Sequence, residues 1–151
     1  MTIRVLVVDD QSMVRAGFRM LLSGEEDIEV VAEASNGLEA VEKAARFRPT
    51  VVLMDIRMPE LDGVLATRRI IASDDAARIL ILTTFDLDEY VYEALRAGAS
   101  GFVLKDDPPE QLLAAVRTVA GGEVLPSPAI TKRVIKQFTR IGRSRVPRTS
   151  M

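Results

Sequence analysis

Residues 51–63 read VVLMDIRMPELDG: a short apolar run, an aspartate, then a turn rich in Pro and Gly. The run is too short for a buried helix and is led by β-branched valines, so Thr50–Met54 reads as a strand. Its apolar character is continuous instead of alternating, which marks a strand covered on both faces, as in a parallel sheet. Asp55 then stands at the carboxyl end of that strand, where a carboxylate is costly to bury without compensation. The simplest reading makes it a turn or helix-cap residue just outside the sheet. The ends of the other strands decide otherwise.

Four more runs read as strands, several of them nearly continuous in Val, Ile and Leu: IRVLVV (3–8), IEVVAEA (28–34), RILILT (78–83) and GFVLK (101–105). Helical-period segments alternate with them. Val14, Phe18, Leu21 and Leu22 share one helical face, as do Leu87, Val91, Ala94 and Leu95, and Leu112, Leu113 and Val116. Gly24 and Gly98 sit where helix C-caps belong, and Pro108-Pro109 opens the last of these helices. The segment after Leu61-Asp62-Gly63 has a weaker period but a helix's length. Five β-α units in about 120 residues predict an α/β fold: a doubly wound, flavodoxin-like (βα)5 parallel sheet with helices on both sides.

Composition narrows the chemistry. The 151 residues contain no cysteine and no histidine, which excludes disulfides, thiolate or imidazole metal sites, and a Ser-His-Asp triad. No apolar run approaches a membrane span, and MTIRVLVVDD opens as a strand instead of a secretory signal, so a cytoplasmic location is expected. Residues 1–130 hold all 22 acidic residues and 13 basic ones, whereas 131–151 hold seven basic residues and no acid. A boundary is expected near residue 125, where GGEVLPSP supplies Gly and Pro. Residues 1–122 form the expected domain and 123–151 a basic tail.

In doubly wound sheets, ligands bind outside the carboxyl ends of the strands. The first strand ends in Asp9-Asp10, the third in Asp55, the fourth in Thr83-Thr84 and the fifth in Lys105. With strand order 2-1-3-4-5 these residues converge on one edge. Three carboxylates that close repel one another, and a hard divalent cation relieves them; Mg²⁺ suits a few carboxylates plus water and a phosphate oxygen. An ammonium and a hydroxyl beside them are what phosphoryl transfer uses, since its catalysis is largely positioning and charge neutralisation. A carboxylate can itself be the nucleophile.

VVDD, MDIRMPELDG, LTTFD and GASGFVLK, at these spacings, resemble the receiver domain of bacterial two-component response regulators over residues 3 to about 120. The resemblance implies that Asp55 accepts a phosphoryl group from the phosphohistidine of a sensor histidine kinase. It implies direct Mg²⁺ ligation by Asp10, Asp55 and the backbone carbonyl of Arg57, with Asp9 assisting through water. Thr83 and Lys105 would hold the phosphoryl oxygens, with Thr84 beside them. On phosphorylation Thr83 would move toward the new group and Phe102 would turn inward, although Phe102 also reads as plain core. One departure stands out: the family often has proline, commonly cis, after this lysine, and here Asp106 follows. A cis non-proline bond costs about 2.5–4 kcal/mol, so the expectation is either a trans bond or a strained cis one.

SPAITKRVIKQFTRIGRSRVPRTS reads as a C-terminal extra helix started by Ser127-Pro128, then a linker. Ile130, Val134, Phe138 and Ile141 form its apolar stripe, flanked by Lys132, Arg133, Lys136 and Arg140. One helix is not a DNA-reading module. GGEVLPSPAITKRVI nevertheless resembles the segment joining receiver to helix-turn-helix in NarL/FixJ-type regulators with LuxR-type output. That implies a transcriptional regulator whose DNA contact lies in a domain this chain lacks. Homodimerisation is expected through helix 1 and helix 5, the helix 4–strand 5–helix 5 face or the tail's apolar stripe, and the sequence selects none of them.

Two rivals are distinguishable. A haloacid-dehalogenase-type phosphatase also uses a strand-end aspartate and Mg²⁺, but needs a second acid two residues on, where this chain has Arg57. A stand-alone receiver would signal by protein contact alone. A dinucleotide-binding module is disfavoured because the first strand leads into DDQS without a Gly-rich loop.

Overall fold

The computed structural model describes residues 2–56, 62–74, 76–83 and 89–122. They form β1 (Ile3–Val8), α1 (Ser12–Ser23), β2 (Ile28–Ala34), α2 (Gly37–Phe47), β3 (Val51–Asp55), α3 (Gly63–Ser73), β4 (Arg78–Thr83), α4 (Glu89–Arg96), β5 (Gly101–Leu104) and α5 (Pro109–Ala120). The strands make one sheet in the order β2-β1-β3-β4-β5, and every neighbouring pair is parallel. This is the doubly wound order expected from the sequence. The extra helix expected within 123–151 lies outside the described residues.

Period two along each strand divides the core into two layers. Leu6 and Val8, Val52 and Met54, and Ile79 and Ile81 face α2, α3 and α4, where Ala40, Ile70 and Ala94 meet them. Val5 and Val7, Val51 and Leu53, and Leu80 and Leu82 face α1 and α5, meeting Leu22, Leu112 and Val116. Both faces of the sheet's centre are therefore dry, and β3 admits no polar residue before Asp55, whereas the edge strand β2 carries Glu29 and Glu33. Truncating a central side chain such as Leu53 to Ala would cost about 2–5 kcal/mol.

Local chemistry sets the helix ends. Asn36 caps α2, its side chain accepting from the Glu39 N–H at 2.9 Å, and Glu39 reaches back to the N–H and hydroxyl of Ser35. Asp62 caps α3 in the same way through the Leu65 N–H at 2.9 Å. Gly98 takes φ +115° as the chain turns from α4 into β5, a left-handed conformation that favours glycine. Gly24 caps α1 with an ordinary φ of −74°, so its lack of a side chain is not what ends that helix. Strand β3 runs Val51–Asp55, one residue on from the expected Thr50–Met54; Thr50 still bonds β1, its N–H donating to the Arg4 carbonyl at 2.8 Å and its hydroxyl accepting from the Arg4 N–H at 3.3 Å.

Candidate functional site

The parallel register brings the ends of β1, β3, β4 and β5 to one edge. Asp9 follows β1 and is fully buried; Asp55 closes β3 at 5% exposure; Thr83 closes β4 and is buried. Lys105 follows β5, its N–H donating to the Thr83 carbonyl at 2.7 Å. One carboxylate oxygen from each of Asp9, Asp10 and Asp55 falls within 4.8 Å of the other two. Lys105 Nζ stands 2.9 Å from Asp9 Oδ2 and 3.3 Å from Asp55 Oδ2. Of the residues singled out from sequence, Asp9, Asp10, Asp55, Thr83 and Lys105 thus share one strand edge. Arg57 and Thr84 lie outside the described residues. Phe102 is 1% exposed and packed in the layer beneath α4.

Three carboxylates against one ammonium leave the cluster negative. Burial by itself would lower the Lys105 pKa, but the carboxylates of Asp9 and Asp55 outweigh it and raise the pKa above the usual lysine value. Asp9 Oδ2 is buried and accepts no well-directed hydrogen bond, so the lysine contact compensates it by charge alone. An oxygen-only donor set with surplus negative charge, one of its buried oxygens met only by a lysine, fits a hard divalent cation such as Mg²⁺.

Three neighbours of the cluster were given no part in it by the sequence. Asp107 Oδ2 accepts from the Leu104 N–H, and its own N–H donates to the Leu104 carbonyl, both at 3.0 Å, closing the turn that presents Lys105. The Lys105–Asp106 bond within that turn is trans. Gly63 lies against the backbone of Asp55 and Ile56, and its N–H donates to the Ile56 carbonyl at 3.0 Å. Arg15 Nη1 donates to the Asp9 carbonyl at 2.6 Å. All three act through backbone atoms, which no residue pattern advertises.

A doubly wound parallel sheet with an acidic cluster and a lysine at the carboxyl ends of its strands defines a class of α/β proteins that bind small charged groups at that edge. Residues 5–117 match the response regulator receiver domain, and the chain belongs to that family. It is 43% identical over 136 residues to the oxygen regulatory protein NreC of Staphylococcus aureus, covering 89% of this chain and 63% of that protein. A two-component response regulator of the LuxR family from Aurantimonas sp. superposes with a TM-score of 0.85 at 36% identity, over 92% of this chain and 99% of that one. The signal receiver domain of the response regulator NarL from Mycobacterium tuberculosis superposes at 0.77 with 35% identity, over 81% and 98%. Among the described residues no helix is long and apolar enough to cross a membrane.

Proposed function

We propose that Asp55 is the phosphoacceptor of a two-component system, receiving its phosphoryl group from the phosphohistidine of a sensor histidine kinase in the cytoplasm. The observation that carries this reading is the Lys105 ammonium 3.3 Å from Asp55 Oδ2, with Asp9 and Asp10 gathered around the same carboxylate. An Asp55 oxygen attacks phosphorus, the phosphorus–nitrogen bond breaks, and its electron pair returns to the imidazole of the kinase. Lys105 and Thr83 hold the phosphoryl oxygens, with Thr84 beside them. Asp10, Asp55 and the Arg57 carbonyl would hold Mg²⁺, with Asp9 assisting through water. Bound there, the ion supplies charge neutralisation of the transferring group. The dianion formed on Asp55 pulls on Thr83 and Lys105, and the strand-end shift reaches the Phe102 layer.

Residues 1–122 are the receiver unit in this reading, and 123–151 lead toward a DNA-binding output domain whose activity the phosphoryl group controls, with homodimerisation on phosphorylation. Similarity to NreC and to LuxR-family regulators supports that output. The chain spans 63% of the length of NreC. The unit assists its own phosphorylation and dephosphorylation and turns over no other substrate.

The test is incubation with acetyl phosphate, with and without Mg²⁺, followed by intact mass, beside Asp55→Asn. One added phosphoryl group that requires both Mg²⁺ and Asp55 is expected. No adduct and no phosphate release would remove the phosphoacceptor role. Steady phosphate release without an adduct would favour a phosphatase.

A further inference from the structure

Asp9 commits each of its polar groups to a different partner. Its N–H donates to the Ala34 carbonyl at 3.1 Å, Oδ1 accepts from the Gln11 N–H at 2.9 Å, Oδ2 faces Lys105, and its carbonyl accepts from Arg15 Nη1. The last contact sets a fixed guanidinium at the border of a cluster suited to a cation. By charge alone that arrangement is unhelpful, since Arg15 repels any divalent ion bound nearby.

Its geometry has another use. The peptide whose carbonyl Arg15 grips is the one joining Asp9 to Asp10, and its plane determines where the Asp10 carboxylate stands. Asp10 is exposed, and its side chain makes no hydrogen bond or ion pair among the described residues. Among the described residues only backbone contacts on either side of it, the Asp9 Oδ1–Gln11 turn and the Arg15 bond to the Asp9 carbonyl, set its place. Arg15 is itself braced: its Nε lies 3.4 Å from Glu33 Oε1, its side chain is only 18% exposed, and Arg19 Nη1 holds Glu33 Oε2 at 3.1 Å. Glu33 lies next to the carboxyl end of β2, the strand that places none of its own side chains in the cluster.

We propose that Arg15 is a positioning residue for the Mg²⁺ site: bonded to the Asp9 carbonyl and braced by Glu33, it fixes the Asp9–Asp10 peptide so that Asp10 meets the cation. The inference rests on reading the acidic cluster as a Mg²⁺ site. It gives β2 a part in that site through Glu33.

The experiment measures Mg²⁺ affinity of the full chain by titration calorimetry for wild type, Arg15→Lys and Arg15→Met. Amide exchange at Gln11 is followed in the same proteins without metal. Charge and positioning predict opposite signs. Deleting a cation beside a cation site tightens Mg²⁺ binding if only charge matters. Positioning predicts about tenfold weaker binding in Arg15→Met, the size typical of a residue that orients a metal ligand. Arg15→Lys keeps the charge but loses the planar fork that reaches the carbonyl and Glu33 together, so it also weakens binding. Gln11 exchange quickens in both variants without metal.

Mg²⁺ affinity in Arg15→Lys equal to or tighter than wild type overturns the proposal, even if the variant melts lower. Wild type that binds no Mg²⁺ overturns it too. Should Arg15→Met fail to fold, Arg15→Lys decides. Failure of the phosphoacceptor reading looks different: wild type binds Mg²⁺ in an Arg15-dependent way but takes no phosphoryl group.

Discussion

A methyl group on Gly63 would lie 2.6 Å from the Asp55 carbonyl oxygen and 2.8 Å from the Ile56 Cα. Both obstacles are backbone, so neither swings aside. Gly63→Ala therefore pushes the start of α3 off the end of β3, an overpacking cost of about 1–3 kcal/mol. For a chain of this size each kcal/mol lowers the melting temperature by about 2–4 °C. An unchanged melting curve would show that the Asp55–Gly63 contact yields freely.

On the proposed Mg²⁺ site, added Mg²⁺ should raise the melting temperature, because it would relieve the repulsion among the carboxylates of Asp9, Asp10 and Asp55. At a concentration 100-fold above Kd the gain is about 2.7 kcal/mol, and a chelator removes it. Asp10→Asn abolishes this increment while leaving the metal-free protein at least as stable as wild type. A metal-free variant clearly less stable than wild type would mean that Asp10 has a structural partner.

The raised pKa of Lys105 has a consequence at high pH. Its ion pairs with Asp9 and Asp55 contribute fully below the ordinary lysine value of 10.5 and are lost as pH rises through the higher folded value. Urea midpoints between about pH 9 and pH 12 should fall in the upper part of that range. Lys105→Met removes this component of the decline and lowers stability at neutral pH, since Asp9 keeps a buried charge without its counterion. Equal alkaline slopes in the two proteins would rule out this linkage.

The cap of α2 acts at the acid end. The Ser35 N–H holds the Glu39 carboxyl below its ordinary 4.5; partial burial opposes this, while the Ser35 hydroxyl and Lys43 add to it. The stabilisation is present above that value and disappears as pH falls through the lowered one. Asn36→Ala removes the other half of the reciprocal cap and costs about 1 kcal/mol. Glu39→Gln flattens the acid limb of the stability profile, and an unaltered limb would discount the cap.

The sheet was legible because its strands are dry on both faces: Val51–Met54 and Ile79–Leu82 had to be apolar without interruption. The cluster was legible for a related reason, since Asp9, Asp55 and Lys105 break that rule only where their strands leave the core. What escaped notice works through main-chain atoms. Asp107 holds Leu104 by its N–H, Gly63 matters for the space it leaves, and α2 ends on Arg48 at φ 47° where a glycine or asparagine would have been the signal. Arg15 drew no reading because its partner, the Asp9 carbonyl, is common to every residue type.

Five residues before the described chain ends at Gly122, Arg117 in α5 bonds Asp27 through Nε at 2.8 Å and Glu25 through Nη2 at 2.7 Å. The last turn of α5 is thereby moored to the α1–β2 connection, 90 residues earlier in the chain, as well as to its own strand. The end of α5, which follows the edge strand β5, is thus referenced to the connection that enters the opposite edge strand, β2. That mooring is ionic and solvent-exposed, so it slackens as salt rises. The anchorage of the last turn of α5 therefore becomes a function of ionic strength.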